Sequence, residues 1–387
     1  MSGTPFGPGN PRPYLAPEGL SPQTLAVRGG QARTTFDETS EALFLTSGFV
    51  YGSAEEAEAA FSDGVDKFVY SRYGNPTVAM LEERLRVLEG AEAAYATSSG
   101  MSAVFTALAA LVGQGDRLVS SRGLFGSCFV IVDEILPRWG VETVLVDGHD
   151  LDQWREALSE PTTAVFFETP SNPMQELVDI AAVSELAHAA GAQVVVDNVF
   201  GTPVFSRPLE HGADIVVYSA TKHIDGPVQN LIRHTGPSLS PFNAWVLLKG
   251  LETMDLRVRR MAESALAIAR DLQEHAGVDR VIHPWLEDHP QHELARRQMT
   301  GGGTVVTFDV RGGKEQAFAV MNALRLVDIS NNLGDSKSLI THPATTTHRR
   351  MGEEARAAIG ITDTTLRISV GLEAAEDLVA DLRRALG

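Results

Sequence analysis

Between about Phe68 and Leu251 the chain repeats one pattern, in which short apolar runs alternate with stretches of helical spacing. The runs are Arg117–Ser120, Thr143–Val146, Ala164–Glu168, Gln193–Val196 and Asp214–Tyr218. Each is rich in Val, Ile or Phe and bounded by turn residues or by a helical pattern. Between them, Thr77–Glu89 carries Val78, Leu81, Leu85 and Leu88 at helical spacing, Ser102–Val112 reads as a buried helix, and Ile180–Ala190 reads as a helix set between two strands. Strands joined through helices are parallel, and continuous apolar strands are covered on both faces. The pattern therefore predicts an α/β fold, a mainly parallel sheet with helices on both faces. In the last third, Leu251–His275 reads as one long helix, Gly303–Val310 and Thr365–Val370 as strands, and Ala374–Leu386 as a closing helix. That predicts a smaller α/β C-terminal domain.

Composition excludes several classes of function. A hydrophobic share of 43% over 387 residues supplies a large core or two domains of ordinary size. A net charge of −18 argues against a general nucleic-acid or anionic-membrane partner. The single cysteine, Cys128, has no partner for an internal disulfide, which predicts a cytoplasmic protein; beside Phe129 in an apolar run it reads as a packing residue. No CxxC or HExxH spacing occurs, so no metal site is expected. Met1–Pro17 is rich in Pro and Gly, lacks the basic start and apolar run of a signal peptide, and reads as a loose arm. No window is apolar for long enough to span a membrane.

The residues that carry chemistry lie at strand ends. Val217-Tyr218-Ser219-Ala220-Thr221-Lys222-His223 sets a lysine just beyond an apolar strand, where partial burial lowers its pKa and frees the amine for a Schiff base. Ser219 and Thr221 offer hydroxyls to phosphate oxygens. Val194-Val195-Val196-Asp197-Asn198 ends another strand in an acid that can keep a pyridinium nitrogen protonated. Ser98-Ser99-Gly100-Met101-Ser102 opens a helix with small residues, which lets backbone N–H groups approach a phosphate. In Tyr70-Ser71-Arg72-Tyr73-Gly74-Asn75-Pro76-Thr77, Arg72 can grip phosphate as a fork, and Asn75-Pro76 suits the start of a helix. Pro170-Ser171-Asn172-Pro173 follows a strand and presents Asn172 from a stiff loop. Taken singly, each of these is an ordinary cap, turn or surface residue.

Taken together and in this order, they resemble the Cys/Met-metabolism family of pyridoxal-5′-phosphate (PLP) enzymes, from about Thr24 to the C-terminus. Asn332–Pro343, N-L-G-D-S-K-S-L-I-T-H-P, and Leu366–Glu373, L-R-I-S-V-G-L-E, extend the likeness. The resemblance implies a PLP-dependent transferase fold of type I. It divides the chain into an N-terminal arm over 1–65 that contacts a neighbouring subunit, a large PLP-binding domain over 66–255 and a small domain over 256–387. It implies that Lys222 carries PLP and then moves protons, that Asp197 pairs with the ring nitrogen, and that Ser219, Thr221, Ser99, Gly100 and Met101 hold the phosphate. Tyr70 and Arg72 reach the phosphate of the neighbouring subunit, Tyr70 also serving the chemistry, in a homodimer or homotetramer with shared active sites. Arg367 grips the substrate α-carboxylate, and Asn172 and Ser338 contact cofactor and substrate.

Leu124-Phe125-Gly126-Ser127 stands where many members have L-Y-G, so Phe125 keeps the stacking ring but lacks the phenol common in lyases. The L-G-D-S-K-S-L stretch and Thr300-Gly301-Gly302-Gly303-Thr304 resemble the homoserine-ester sulfhydrylase branch, most of all the bacterial enzymes that use O-succinylhomoserine. The implied reaction replaces the γ-ester with sulfide to give homocysteine and succinate, in methionine biosynthesis. Cystathionine γ-synthesis, use of the acetyl ester, and a catalytically inactive binding protein of the same fold are the rivals; joint retention of Lys222, Asp197 and Arg367 argues against the last. One departure stands out. After S-A-T-K-H-I-D-G, Gly226 runs directly into Pro227, about a strand and its turn short of the family pattern. That is either a deletion or a mobile piece absent from the sequence, and the intact motifs around it favour the second.

Overall fold

The structure is a computed structural model that describes residues 19–62, 65, 67–219 and 238–387. The expectations for Met1–Pro17, for Thr221 and Lys222 and for the stretch after Gly226 fall outside these residues. The chain forms two compact units: the described residues 19–106 with 238–255, and 107–219 with 256–387.

The second unit holds two five-stranded sheets. The first contains β1 (Arg117–Ser121), β2 (Glu142–Val146), β3 (Ala164–Glu168), β4 (Gln193–Asp197) and β5 (Ile215–Val217), in the order β2-β1-β3-β4-β5. All its pairings are parallel, as the alternating pattern predicts. Side chains alternate across a sheet, so each strand feeds two layers. Val165 and Phe167 of β3 and Val194 and Val196 of β4 face one side, where they bury Trp154 and Ile180, Val183 and Ala187 of the helix Ile180–Ala189. Trp154 meets Phe167 edge-on at 5.9 Å and donates its indole N–H to the Gly148 carbonyl at 3.0 Å. Glu168 and Asp197 occupy the alternate positions and so face the opposite side. Cys128, on the helix Gly126–Val130, is close enough to feel both their charges.

The second sheet contains β6 (Val278–Ile282), β7 (Val305–Val310), β8 (Asp328–Ile329), β9 (Leu339–Thr341) and β10 (Thr365–Ser369), in the order β6-β7-β10-β9-β8. It is antiparallel apart from β8 with β9. Phe308, Ile340, Leu366 and Ile368 pack with Ile268 and Leu272 of the helix Met254–Gln273 and with Leu378 and Leu382 of the closing helix Ala375–Leu386. The long helix expected over Leu251–His275 is two: Pro241–Glu252 ends at Thr253 (φ −113°, ψ 4°), and Met254–Gln273 follows. Leu251 closes one apolar face and Val258 opens another, and sequence spacing alone joins them into one run.

In the first unit, Asn75 caps the helix Pro76–Glu89 by accepting from the Thr77 N–H at 2.9 Å, with Pro76 at the first helical position. Inside that helix Arg84 is fully buried. Its guanidinium donates to the Gly29 carbonyl at 2.8 Å and to the Glu41 carboxylate, which also takes Lys249 of the helix Pro241–Glu252. The Trp245 indole donates to the Glu41 carbonyl at 3.0 Å. Gly30 (φ +65°) lets this segment lie flat on the helix, since a Cβ there would sit 2.8 Å from both the Arg84 nitrogen and the Met80 carbonyl.

Glu41 thus pins the N-terminal segment to two helices, and its loss would strand a buried guanidinium. Glu41→Ala is expected to cost about 3–5 kcal/mol, read as a lower urea midpoint. Burial raises the Glu41 carboxyl, but the bonds from Lys249 and Arg84 outweigh it and the net direction is down. Its contribution is therefore full above the ordinary carboxylate value and is lost as pH falls through the lowered one. Between about pH 5 and about pH 3 the wild type is expected to lose more stability than Glu41→Ala, measured by urea unfolding across that range.

Candidate active site

The parallel register sets the centre of the site. Glu168 of β3 stands opposite Asp197 of β4, and Asp197 opposite Val217 of β5, so these strands end level. In open parallel sheets, ligands bind beyond such carboxyl ends. Asp197 is 6% exposed and accepts from the Val199 N–H at 3.1 Å. Next to it, the Asn198 amide donates to the Ser206 carbonyl at 2.9 Å and to the Tyr218 hydroxyl at 2.7 Å, which locks the turn after β4. Ser219 follows Tyr218, half-buried, and is the last described residue before Lys222.

Glu168, 2% exposed, is held between two loops. One carboxylate oxygen accepts from the Phe125 N–H at 2.7 Å and the other from the Asn172 N–H at 2.9 Å. Burial, then the charge of Asp197, push its carboxyl well above the usual range, while the two N–H bonds and Arg367 pull it back. Burial and the same two acids raise the Cys128 thiol, so it stays protonated and packs, as its sequence setting suggests.

Arg367 projects from the middle of β10, 1% exposed, between Thr307 and Thr341 of the flanking strands. One nitrogen donates to the Asn172 side-chain oxygen at 3.0 Å; another donates to the Asn331 and Asn332 carbonyls at 3.0 Å each. Its Nε is buried without a hydrogen-bond partner among the described residues. Burial lowers its pKa to about 10, with Glu168 acting in the opposite sense. His348, fully buried, is pushed down to about 4 by burial and then by Arg367, and so stays neutral beside it.

The structure thus brings Asp197, Phe125, Asn172 and Arg367 into one network around Glu168. Ser338 lies elsewhere in its bonding: its hydroxyl donates to Glu373 at 2.8 Å and accepts from the Gly371 N–H at 2.9 Å, which fastens the loop before β9 to the end of β10. In the first unit, Ser99 caps the helix Gly100–Leu111 through the Ser102 N–H at 3.1 Å, with Gly100 buried and Met101 half-buried at its start. Tyr70 is 42% exposed, and Arg72 lies 5.6 Å from its ring centre and 4.7 Å from that of Tyr73. Glu168, His348, Glu373 and the Asn331 carbonyl had no role in the sequence reading. Glu168 and Glu373 sit inside motifs that were read for their neighbours; His348 carries no pattern of its own.

PLP fits these residues on their own chemistry. A buried carboxylate at the strand ends could serve a protonated ring nitrogen, an aromatic ring heads the adjacent loop, and among the described residues the buried guanidinium keeps its Nε–H unspent for a carboxylate.

The comparisons with known proteins agree. An O-succinylhomoserine sulfhydrylase of Mycobacterium tuberculosis is 61% identical over 97% of this chain and 98% of its own length. That alignment runs over 398 residues against the 387 here, so the relative carries residues that this chain lacks. An O-succinylhomoserine sulfhydrylase of Pseudomonas aeruginosa is 49% identical over 95% of this chain and 96% of its own. The crystal structure of a putative O-acetylhomoserine (thiol)-lyase of Campylobacter jejuni, which contains a pyridoxyl-lysine phosphate, superposes with a TM-score of 0.90 at 29% identity, covering 95% of this chain and 100% of that one. Residues 23–387 match the Cys/Met metabolism PLP-dependent enzyme family, and the chain belongs to that family, with its α/β fold of type I and its cofactor.

Proposed function

We propose that this protein is a PLP-dependent transferase that replaces the succinyl ester of O-succinylhomoserine with sulfide, giving homocysteine and succinate for methionine synthesis. The observation that carries this reading is the 61% identity, over nearly the full length of both chains, to the M. tuberculosis O-succinylhomoserine sulfhydrylase. Phe125 in place of a tyrosine agrees with it, because a ring without a phenol stacks but has no proton to give.

Bound PLP supplies an electron sink for the negative charge that develops on the substrate carbons. The chain's own residues do the rest. Lys222 holds the cofactor and carries protons between neighbouring carbons. Asp197, which accepts from the Val199 N–H, holds a proton on the ring nitrogen. Phe125 backs the ring, and Ser219, Thr221 and the Ser99–Gly100–Met101 helix start hold the phosphate. Arg367, already fixed by Asn172 and two carbonyls, offers its remaining N–H groups, the Nε–H among them, to the α-carboxylate as a fork. A guanidinium fixed before the substrate arrives loses little entropy on binding. Ser338 contributes by holding the loop that carries the Asn331 and Asn332 carbonyls. The exposed Tyr70–Arg72 pair suits a contact with a second subunit, in a homodimer or homotetramer, and we place the enzyme in the cytoplasm.

Purified PLP-loaded protein given O-succinylhomoserine is expected to form homocysteine with sulfide in preference to cystathionine with cysteine, identified by mass spectrometry. Dominant cystathionine would make it a γ-synthase, and no product with either nucleophile would overturn the reading. Arg367→Lys keeps the charge but loses the fork. It is expected to raise KM for the ester roughly 10- to 100-fold, with a smaller change in kcat, in steady-state assays.

A further inference from the structure

The proposed chemistry makes no use of Glu168, yet this carboxyl, at the end of the first sheet, accepts from the backbone of two separate loops. Burial first and the charge of Asp197 second push this carboxyl up, against the pull of the two N–H bonds and Arg367, so keeping it there has a cost that packing alone does not explain. A residue of similar volume without charge would fill the same space.

What the carboxyl does is join two loops. It has two oxygens, and each takes a backbone N–H from a different segment, Phe125 at 2.7 Å and Asn172 at 2.9 Å. The first segment carries the aromatic ring; the second carries the amide that fixes Arg367 at 3.0 Å. Glu168 itself is fixed by the register that sets it opposite Asp197. One side chain therefore ties ring, carboxylate clamp and ring-nitrogen acid to a single strand end. Both bonds go to main-chain N–H groups, which every residue but proline carries, so Glu168 is the side chain on which they depend.

We infer that Glu168 is a positioning residue that sets Phe125 against the cofactor ring and Arg367 against the substrate carboxylate, by holding the two loops through the Phe125 and Asn172 N–H groups. The inference rests on the proposed function for the roles of ring and clamp.

The test is Glu168→Gln in the PLP-loaded, full-length protein. A glutamine side chain offers one acceptor oxygen and turns an NH2 toward the other N–H, so it can hold only one loop. Three quantities are read beside the thermal midpoint: the visible circular dichroism of bound PLP, the affinity for L-alanine, which has no leaving group, and kcat/KM with O-succinylhomoserine and sulfide. The variant is expected to fold and bind PLP, with a weakened dichroic band, L-alanine affinity down roughly ten-fold or more and kcat/KM down at least as far. Glu168→Asp keeps the carboxyl with a shorter reach and is expected to fall between wild type and Glu168→Gln. All three readouts within about two-fold of wild type, or a fall in the thermal midpoint alone, would overturn the inference. So would failure of both variants to fold, which would make Glu168 a folding determinant. If the wild type does not turn over O-succinylhomoserine, the substrate reading fails, while the dichroism and L-alanine affinity still decide the role of Glu168.

Discussion

Parallel register between β3 and β4 is the constraint on which the site depends. Because residues alternate across a strand, an in-register pair sends matching positions to the same side. That places the Glu168 and Asp197 carboxyls next to each other on the face opposite the Trp154 layer. A slip of one residue would turn Asp197 into the apolar layer and bring Val196 to the site. The continuous burial of all five β3 residues, together with the Val194 and Val196 contacts of β4, makes such a slip costly, so the hydrophobic core and the chemistry share one alignment.

The second sheet contributes in a different way. Arg367 enters a buried strand that would otherwise carry an apolar side chain, and among the described residues its charge is met by dipoles rather than by a bonded carboxylate. Three oxygens, none formally charged, hold two of its nitrogens, and Glu168 acts on it only from a distance. A direct ion pair would neutralise the guanidinium before any ligand arrived. Neutral acceptors orient it and leave most of its attraction for an incoming carboxylate. His348 completes the setting, since a neutral imidazole within reach of the Arg367 field adds no like charge.

The sheet layout was legible because its signal is local. Short apolar runs separated by helical stretches mark β1 to β5 within a residue or two of their observed bounds, and the parallel arrangement follows from the connections. Residues whose type is unusual for a buried strand were legible too, Asp197 at the end of β4 and Arg367 in the middle of β10 among them. The weakly patterned elements were not. β6 is an edge strand with Asp279 and Arg280 exposed in its middle, and β9 has three residues, too few to show a period. The break at Thr253 escaped because neither a proline nor a glycine marks it. Glu168 was read only as a strand terminus, since its partners are backbone N–H groups in loops whose approach is a tertiary event. Ser338 was read through the family likeness as a ligand contact, and its bonds to Glu373 and Gly371 come from a fold-back that the motif does not encode.

The grip of Arg367 on the Asn331 and Asn332 carbonyls has a further consequence. Every amino acid carries a carbonyl, so the clamp places no demand on which side chains occupy these two positions. Their side chains are released from the duty of orienting the guanidinium. A substitution at either position therefore keeps both carbonyl acceptors in the chain, and the guanidinium is oriented by the path of the backbone alone on that side.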